Sequence, residues 1–115
     1  MLNKALEIAK AHVSGGKQRL AAITTDKKGK IISIGKNSYI KTHPFQKLMA
    51  TLVGMEECIY LHAEISALVQ VKAQQPHKIY IARVSANGTP LLAKPCPICT
   101  KAIQDSGIVE IYYTE

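Results

Sequence analysis

From Lys78 to Val84 nearly every position is apolar, with Arg83 as the interruption. A short run of this kind reads as a strand covered on both faces, because a strand with one wet face alternates apolar and polar side chains. Such a strand needs helices on either side of its sheet, and the flanking sequence supplies them. Leu2, Ala5, Leu6, Ala9 and Val13 recur at helical spacing, with Gly15-Gly16 as a stop. Ile65, Leu68 and Val69 form the apolar stripe of a second helix from His62 to about Ala73, closed by Gln74-Gln75-Pro76. A third helix runs from Pro97 to Ser106, with proline at its first position and Gly107 where a left-handed residue is wanted.

The remaining β-rich runs complete the sheet. Arg19 to Thr25 and Ile31 to Ile34 are joined by Asp26-Lys27-Lys28-Gly29-Lys30 and predict a hairpin. Ile108 to Tyr113 is the last strand, on which Tyr112 and Tyr113 face opposite ways. Between Gly35 and Tyr60 there is no clean period, apart from a short helix around Gln46 to Val53. The order α-β-β-α-β-α-β predicts an α/β chain: a three-layer α/β/α sandwich with a central mixed sheet, in one domain spanning residues 1–115.

Several classes fall away on composition. With 47% hydrophobic and 20% charged residues the chain is globular rather than disordered. Its densest apolar stretch, Leu48 to Met55, is broken by Thr51 and Gly54 and falls short of the roughly 20 residues of a membrane span. Asn3, Lys4, Glu7 and Lys10 interrupt the first helix, so no signal-peptide core is seen and a cytoplasmic protein is expected. Three cysteines, Cys58, Cys96 and Cys99, are an odd count and point to metal or thiol chemistry rather than to a disulfide framework. Between Lys27 and Gln104 the acids are Glu56, Glu57 and Glu64, against eleven Lys and Arg. That balance favours anionic partners such as nucleotide phosphates or nucleic acid.

Two helix starts carry metal-ligand residue types. Cys96 and Cys99 stand three apart at the mouth of the third helix, where the positive helix end favours thiolate. His62 opens the second helix. Together they offer two sulfurs and one imidazole, three of the four positions that zinc prefers. A fourth position left to water makes a catalytic site, and Glu64, two residues after His62, is then placed to move that water's proton. A fourth position filled by Cys58, four residues before His62, would instead close the site as structural zinc.

His62-x-Glu64 followed by Pro95-Cys96-x-x-Cys99 resembles the zinc-dependent cytidine and deoxycytidylate deaminases. The likeness extends to Gly35-Lys36-Asn37, to Leu61 through Ser66, and to Pro95 through Tyr113, which looks most like the deoxycytidylate branch; it covers about residues 17–113. The resemblance implies a cytidine-deaminase-like fold and one zinc ion per chain held by His62, Cys96 and Cys99, with Glu64 as the proton shuttle and no organic cofactor. It implies that Asn37 holds the pyrimidine or its sugar and that the backbone N–H of Ala63 binds a base carbonyl. His43 and Lys41 are further candidates for sugar or phosphate contact. The implied reaction is hydrolytic attack at C4 of cytosine with loss of ammonia, and the favoured substrate is dCMP, giving dUMP.

Three departures from the family shape the expectations. The sequence stops just after the last strand, where many relatives add a further strand and helix, so an open pocket or one closed by a second copy is expected, together with a homo-oligomer. The additional zinc-bearing insertion of some deoxycytidylate deaminases is missing, so nucleotide allostery is not implied. Cys58-Ile59-Tyr60 does not follow the proline-threonine lead-in of the tRNA adenosine deaminases, which weighs against tRNA editing. Two other readings stay open: a deaminase acting on a base within single-stranded nucleic acid, opposed by 5% aromatics and no tryptophan, and a non-catalytic zinc-stabilised nucleic-acid-binding module.

Overall fold

The computed structural model describes residues 1–12 and 18–115. In chain order the elements are α1 (Leu2–Ala11), β1 (Arg19–Thr25), β2 (Ile31–Lys36), α2 (Pro44–Leu52), α3 (Ala63–Val69), β3 (Lys78–Val84), β4 (Pro90–Leu91), α4 (Pro97–Asp105) and β5 (Glu110–Tyr113). β1 pairs antiparallel with β2 on one side and with β3 on the other. The far edge of β3 is shared: its first four residues pair parallel with β5, and Arg83 and Val84 pair antiparallel with β4. The sheet is mixed, as the element order predicts.

Alternation along the central strands sorts the core into layers. Ala21 and Ile23 of β1, with Ala82 and Val84 of β3, pack against Ala5 and Ala9 of α1. The intervening Ala22, Ile79 and Ile81 pack against Ala63 and Ala67 of α3 and Ile103 of α4. A period of two has thus sent alternate side chains to opposite helical layers. On the second face α2 lies against α3 and α4, burying Met49 and Ala50 with Ile65, Ile98 and Cys99.

Several boundaries differ from the sequence expectations. The second helix ends at Val69, four residues before Ala73, because Gln70 takes the capping position and Lys72 turns left-handed at φ 58°. The Gln70 side-chain amide donates to Ser66 O and to Ile34 O, fastening the helix end to β2. The first helix ends at Ala11, and the expected stop at Gly15-Gly16 lies outside the described residues. The irregular segment holds a helix at Pro44–Leu52, two residues earlier than expected, since His43 Nδ1 accepts from Phe45 N and caps it. β4 has no counterpart in the sequence reading; two residues are too few to set up a period. Just past the Ser106 cap of α4, Gly107 turns left-handed at φ 81°, and Tyr113 packs inward while Tyr112 faces out, both as expected; Tyr112 also stacks on Tyr80.

Two close contacts position the site. An added Cβ at Gly35 would sit 2.3 Å from Ala63 O and 2.3 Å from Ala67 N, so only glycine lets α3 lie this near β2. Thr114, just past β5, clasps the other end. Its N–H donates to Ile81 O, its hydroxyl donates to Leu91 O and accepts from Arg83 N, and its carbonyl accepts from Ala93 N. No helix among the described residues is long and apolar enough to cross a membrane.

Candidate metal centre

The starts of α3 and α4 converge on the same face of the sheet. His62 is the N-cap of α3 and Cys96 that of α4, and neither side chain caps its own helix. Both are thereby available to a ligand. His62 Nδ1 lies 3.2 Å from Cys99 Sγ and 3.5 Å from Cys96 Sγ, and the three donor atoms fall within 4.8 Å of one another. With zinc–sulfur bonds of about 2.3 Å and zinc–nitrogen bonds of about 2.0–2.1 Å, neighbouring donors on a tetrahedron stand roughly 3.6 Å apart. The spacing and the donor set therefore fit one zinc ion. Cys58 stands outside this group, so the reading that closes the site with a third sulfur finds no support.

The electrostatics suit a cation. A hydrogen bond from Cys99 and another from His62 outweigh burial and bring the Cys96 thiol down to about 4. Cys99, hydrogen-bonded to the Cys96 sulfur and fully buried, is pushed well above the ordinary thiol range. The pair thus favours thiolate at Cys96 and a retained proton at Cys99, which a metal would have to displace. His62 is raised by its hydrogen bond to Cys96, against the effect of burial.

Glu64 is 4% exposed, in the first turn of α3. Burial holds its carboxyl above the usual carboxylate range, with its own backbone amide, the His62 charge and a Cys99 hydrogen bond pulling the other way. It opens, with His62, Ala63 and Cys96, into a cleft of about 460 Å³. Ala63 is the first residue of α3, and the first N–H groups of a helix have no intrahelical acceptor, so its amide is available to the cleft.

Asn37 is buried in the cleft wall. Its Oδ1 accepts from Leu20 N at 2.8 Å, its Nδ2 donates to Gln18 O at 3.4 Å, and its own carbonyl pairs with His12 Nε2 at 2.8 Å. These bonds hold the amide in place and leave one lone pair and one N–H for a ligand. His43 and Lys41, the sequence candidates for sugar or phosphate contact, are not among the residues lining this cleft. His43 uses its Nδ1 to cap α2, and exposed Lys41 is fixed through its backbone to the Ser38 hydroxyl and Leu61 N.

Two further residues bear on the site. Gln46, fully buried on α2, accepts from His62 N at 3.2 Å and donates to Cys58 O at 3.1 Å, so it fixes the backbone that carries the imidazole. Arg83, the interruption in the apolar strand, lines the cleft. No local signal marks a buried glutamine as a positioning group, whereas a lone cation in an otherwise apolar strand is visible in the sequence.

A mixed sheet between helical layers, with an imidazole and two thiols gathered at two helix starts beside a buried carboxylate, defines a zinc-dependent domain of α/β type. Residues 1–115 match the family described as the cytidine and deoxycytidylate deaminase zinc-binding region, and the chain belongs to that family. Its fold is similar to that of a glutamate-to-aspartate mutant of the cytidine deaminase from Mycobacterium tuberculosis, with a TM-score of 0.55 at 16% identity over 92% of this chain and 72% of that one. No curated protein matches the chain.

Proposed function

We propose that the chain is a hydrolase that deaminates cytosine carried on a nucleotide or nucleoside, with dCMP to dUMP as the favoured reaction. One observation carries this reading: a carboxyl 4% exposed opens into the same cleft as the His62 and Cys96 donors. A zinc ion held by His62, Cys96 and Cys99 would supply a water whose pKa falls from about 16 to about 7. Glu64 accepts a proton from that water, and its raised pKa brings it nearer the working pH of a shuttle. Glu64 would carry the first proton to N3 as the water oxygen bonds to C4, then move the second from the new C4 hydroxyl to N4; the C4–N4 bond would break, N4 would leave as ammonia, and C4=O with N3–H of uracil would remain. The Ala63 amide and the Asn37 side chain hold the ring while this happens.

A second reading, deamination of a base in single-stranded nucleic acid, is favoured by Tyr39 and Tyr60, which line the cleft and are 37% and 50% exposed. A non-catalytic module leaves the buried Glu64 without a purpose. Ammonia release from dCMP, deoxycytidine, cytidine and a short cytosine oligonucleotide separates these readings. Turnover of the oligonucleotide alone would move the assignment to nucleic acid, and no turnover of any of the four would leave the binding module. We place the protein in the cytoplasm, where reducing conditions keep such thiols available. We also infer a homo-oligomer, which exposed Ile40, Leu48 and Leu52 support.

A further inference from the structure

The deaminase reading leaves open what holds the far end of the substrate, and the sheet register answers with a residue that reading does not use. Leu20 of β1 pairs with Arg83 of β3, which pairs in turn with Leu91 of β4, and Leu20 N is tied to the Asn37 side chain. Asn37, Leu20 and Arg83 therefore stand in one row across the end of the sheet, about 4.8 Å from strand to strand. By strand alternation Arg83 shares its face with Ile79 and Ile81, which pack beneath α3 and α4. It lies two residues beyond Ile81, roughly 7 Å farther along the strand, where the cover of α3 has stopped and the cleft opens.

The guanidinium is held but not neutralised. Nη1 donates to Leu92 O at 3.3 Å, and Nη2 donates to Gln18 Oε1. Both acceptors are uncharged. Among the described residues the ion pairs join Glu110 to His77 and Lys78, and Asp105 to Lys101; none involves Arg83 or Lys94. Lys94 lines the same cleft, whose one acid besides Glu64 is the exposed Glu57 of the irregular segment. An unpaired, half-buried guanidinium with donors to spare in a concave wall is suited to a bidentate bond with phosphate. Arg83 thus stands at the end of the row that carries Asn37, in the same cleft as Glu64.

We propose that Arg83, assisted by Lys94, anchors the 5′-phosphate of the substrate and makes this a nucleotide deaminase rather than a nucleoside deaminase. The inference rests on the deaminase reading but is tested apart from it. In the zinc-loaded protein kcat/KM is compared for dCMP and deoxycytidine, in wild type, Arg83→Gln, Arg83→Lys and Lys94→Gln. Wild type should prefer dCMP. Arg83→Gln should lose about 10- to 100-fold on dCMP, the loss of a charged hydrogen-bond donor, mostly through KM and at least tenfold more than on deoxycytidine. Arg83→Lys should recover part of the loss, and Lys94→Gln should show a smaller one in the same direction. Inorganic phosphate should inhibit wild type competitively and the Arg83→Gln variant much less. Equal losses on the two substrates, or a wild type that does not prefer dCMP, would overturn the proposal. A binding arm separates the two ideas: dUMP should raise the melting temperature of wild type more than deoxyuridine does, and Arg83→Gln should remove the difference. Absence of turnover would refute deamination while this arm still decides the anchor; equal stabilisation by the two ligands would refute the anchor whatever the turnover.

Discussion

Replacing Gly35 with alanine tests the claim that one missing side chain sets the depth of α3. Elsewhere such a change stabilises, by about 0.4–1 kcal/mol, because the unfolded chain has less freedom to lose. Gly35 is not among the left-handed glycines, so its backbone does not forbid alanine. The obstacle is space. The new methyl would stand 2.3 Å from Ala63 O and Ala67 N and 2.9 Å from Ala67 Cα, while ordinary contact begins at 3.4 Å. All three atoms are backbone, so no rotamer change relieves the overlap, and α3 must retreat from β2 by roughly 1 Å. Overpacking of this kind costs about 1–3 kcal/mol, which for a domain of this size lowers the melting temperature by roughly 4–12 °C. The same retreat carries His62 and Glu64 away from α4. Metal-ligand distances tolerate only about 0.2 Å, so zinc affinity should fall along with stability. Thermal unfolding followed by circular dichroism, with and without zinc, and competition against a chelator give the two readouts. A Gly35→Ala protein as stable as wild type or more so, with unchanged zinc affinity, would refute the packing argument.

Glu64→Gln should retain zinc and lose turnover by several orders of magnitude, because the shuttle goes while the ligands stay; metal analysis beside an ammonia assay checks it, and a fully active variant would end the assignment. Gln46→Met should weaken zinc binding by about 10- to 100-fold, since His62 N and Cys58 O lose their buried partner, whereas Gln46→Glu keeps the acceptor for His62 N and should lose less; equal zinc affinity in the two variants would count against positioning. In metal-free protein Cys96, with its pKa near 4, should alkylate at a rate nearly independent of pH from 5.5 to 8. Cys58, raised by burial and by the Glu57 and Cys96 charges, should react only toward alkaline pH, and zinc should protect Cys96 but not Cys58. Mass-spectrometric mapping of the labelled peptides reads this out, and a Cys96 rate that climbs tenfold per pH unit would contradict the charged-sulfur picture.

What could be read from the chain alone follows the range of the forces involved. β3 was legible because burial on both faces leaves its mark residue by residue. The zinc donors were legible because two helix starts announce themselves locally, through a proline after Cys96 and an apolar stripe after His62. Gly35, Gln46 and Arg83 act through neighbours 28 to 32, 16 and 65 positions away, respectively, and no local pattern records such pairings. His43 carries a structural use that its loop position did not advertise: its Nδ1 caps the adjacent helix. β4 escaped notice because its pairing is fixed by the clasp at Thr114 rather than by its own two residues.

That clasp has a consequence for engineering the chain. Four hydrogen bonds from one threonine join the strand bearing Arg83, the segment running into Cys96 and the tail itself. Truncating the chain before Thr114, or fusing a bulky partner immediately after Tyr113, would therefore loosen one wall of a cleft whose buried carboxyl, Glu64, sits fifty positions earlier. Any affinity handle placed at that end needs a spacer that begins beyond Thr114.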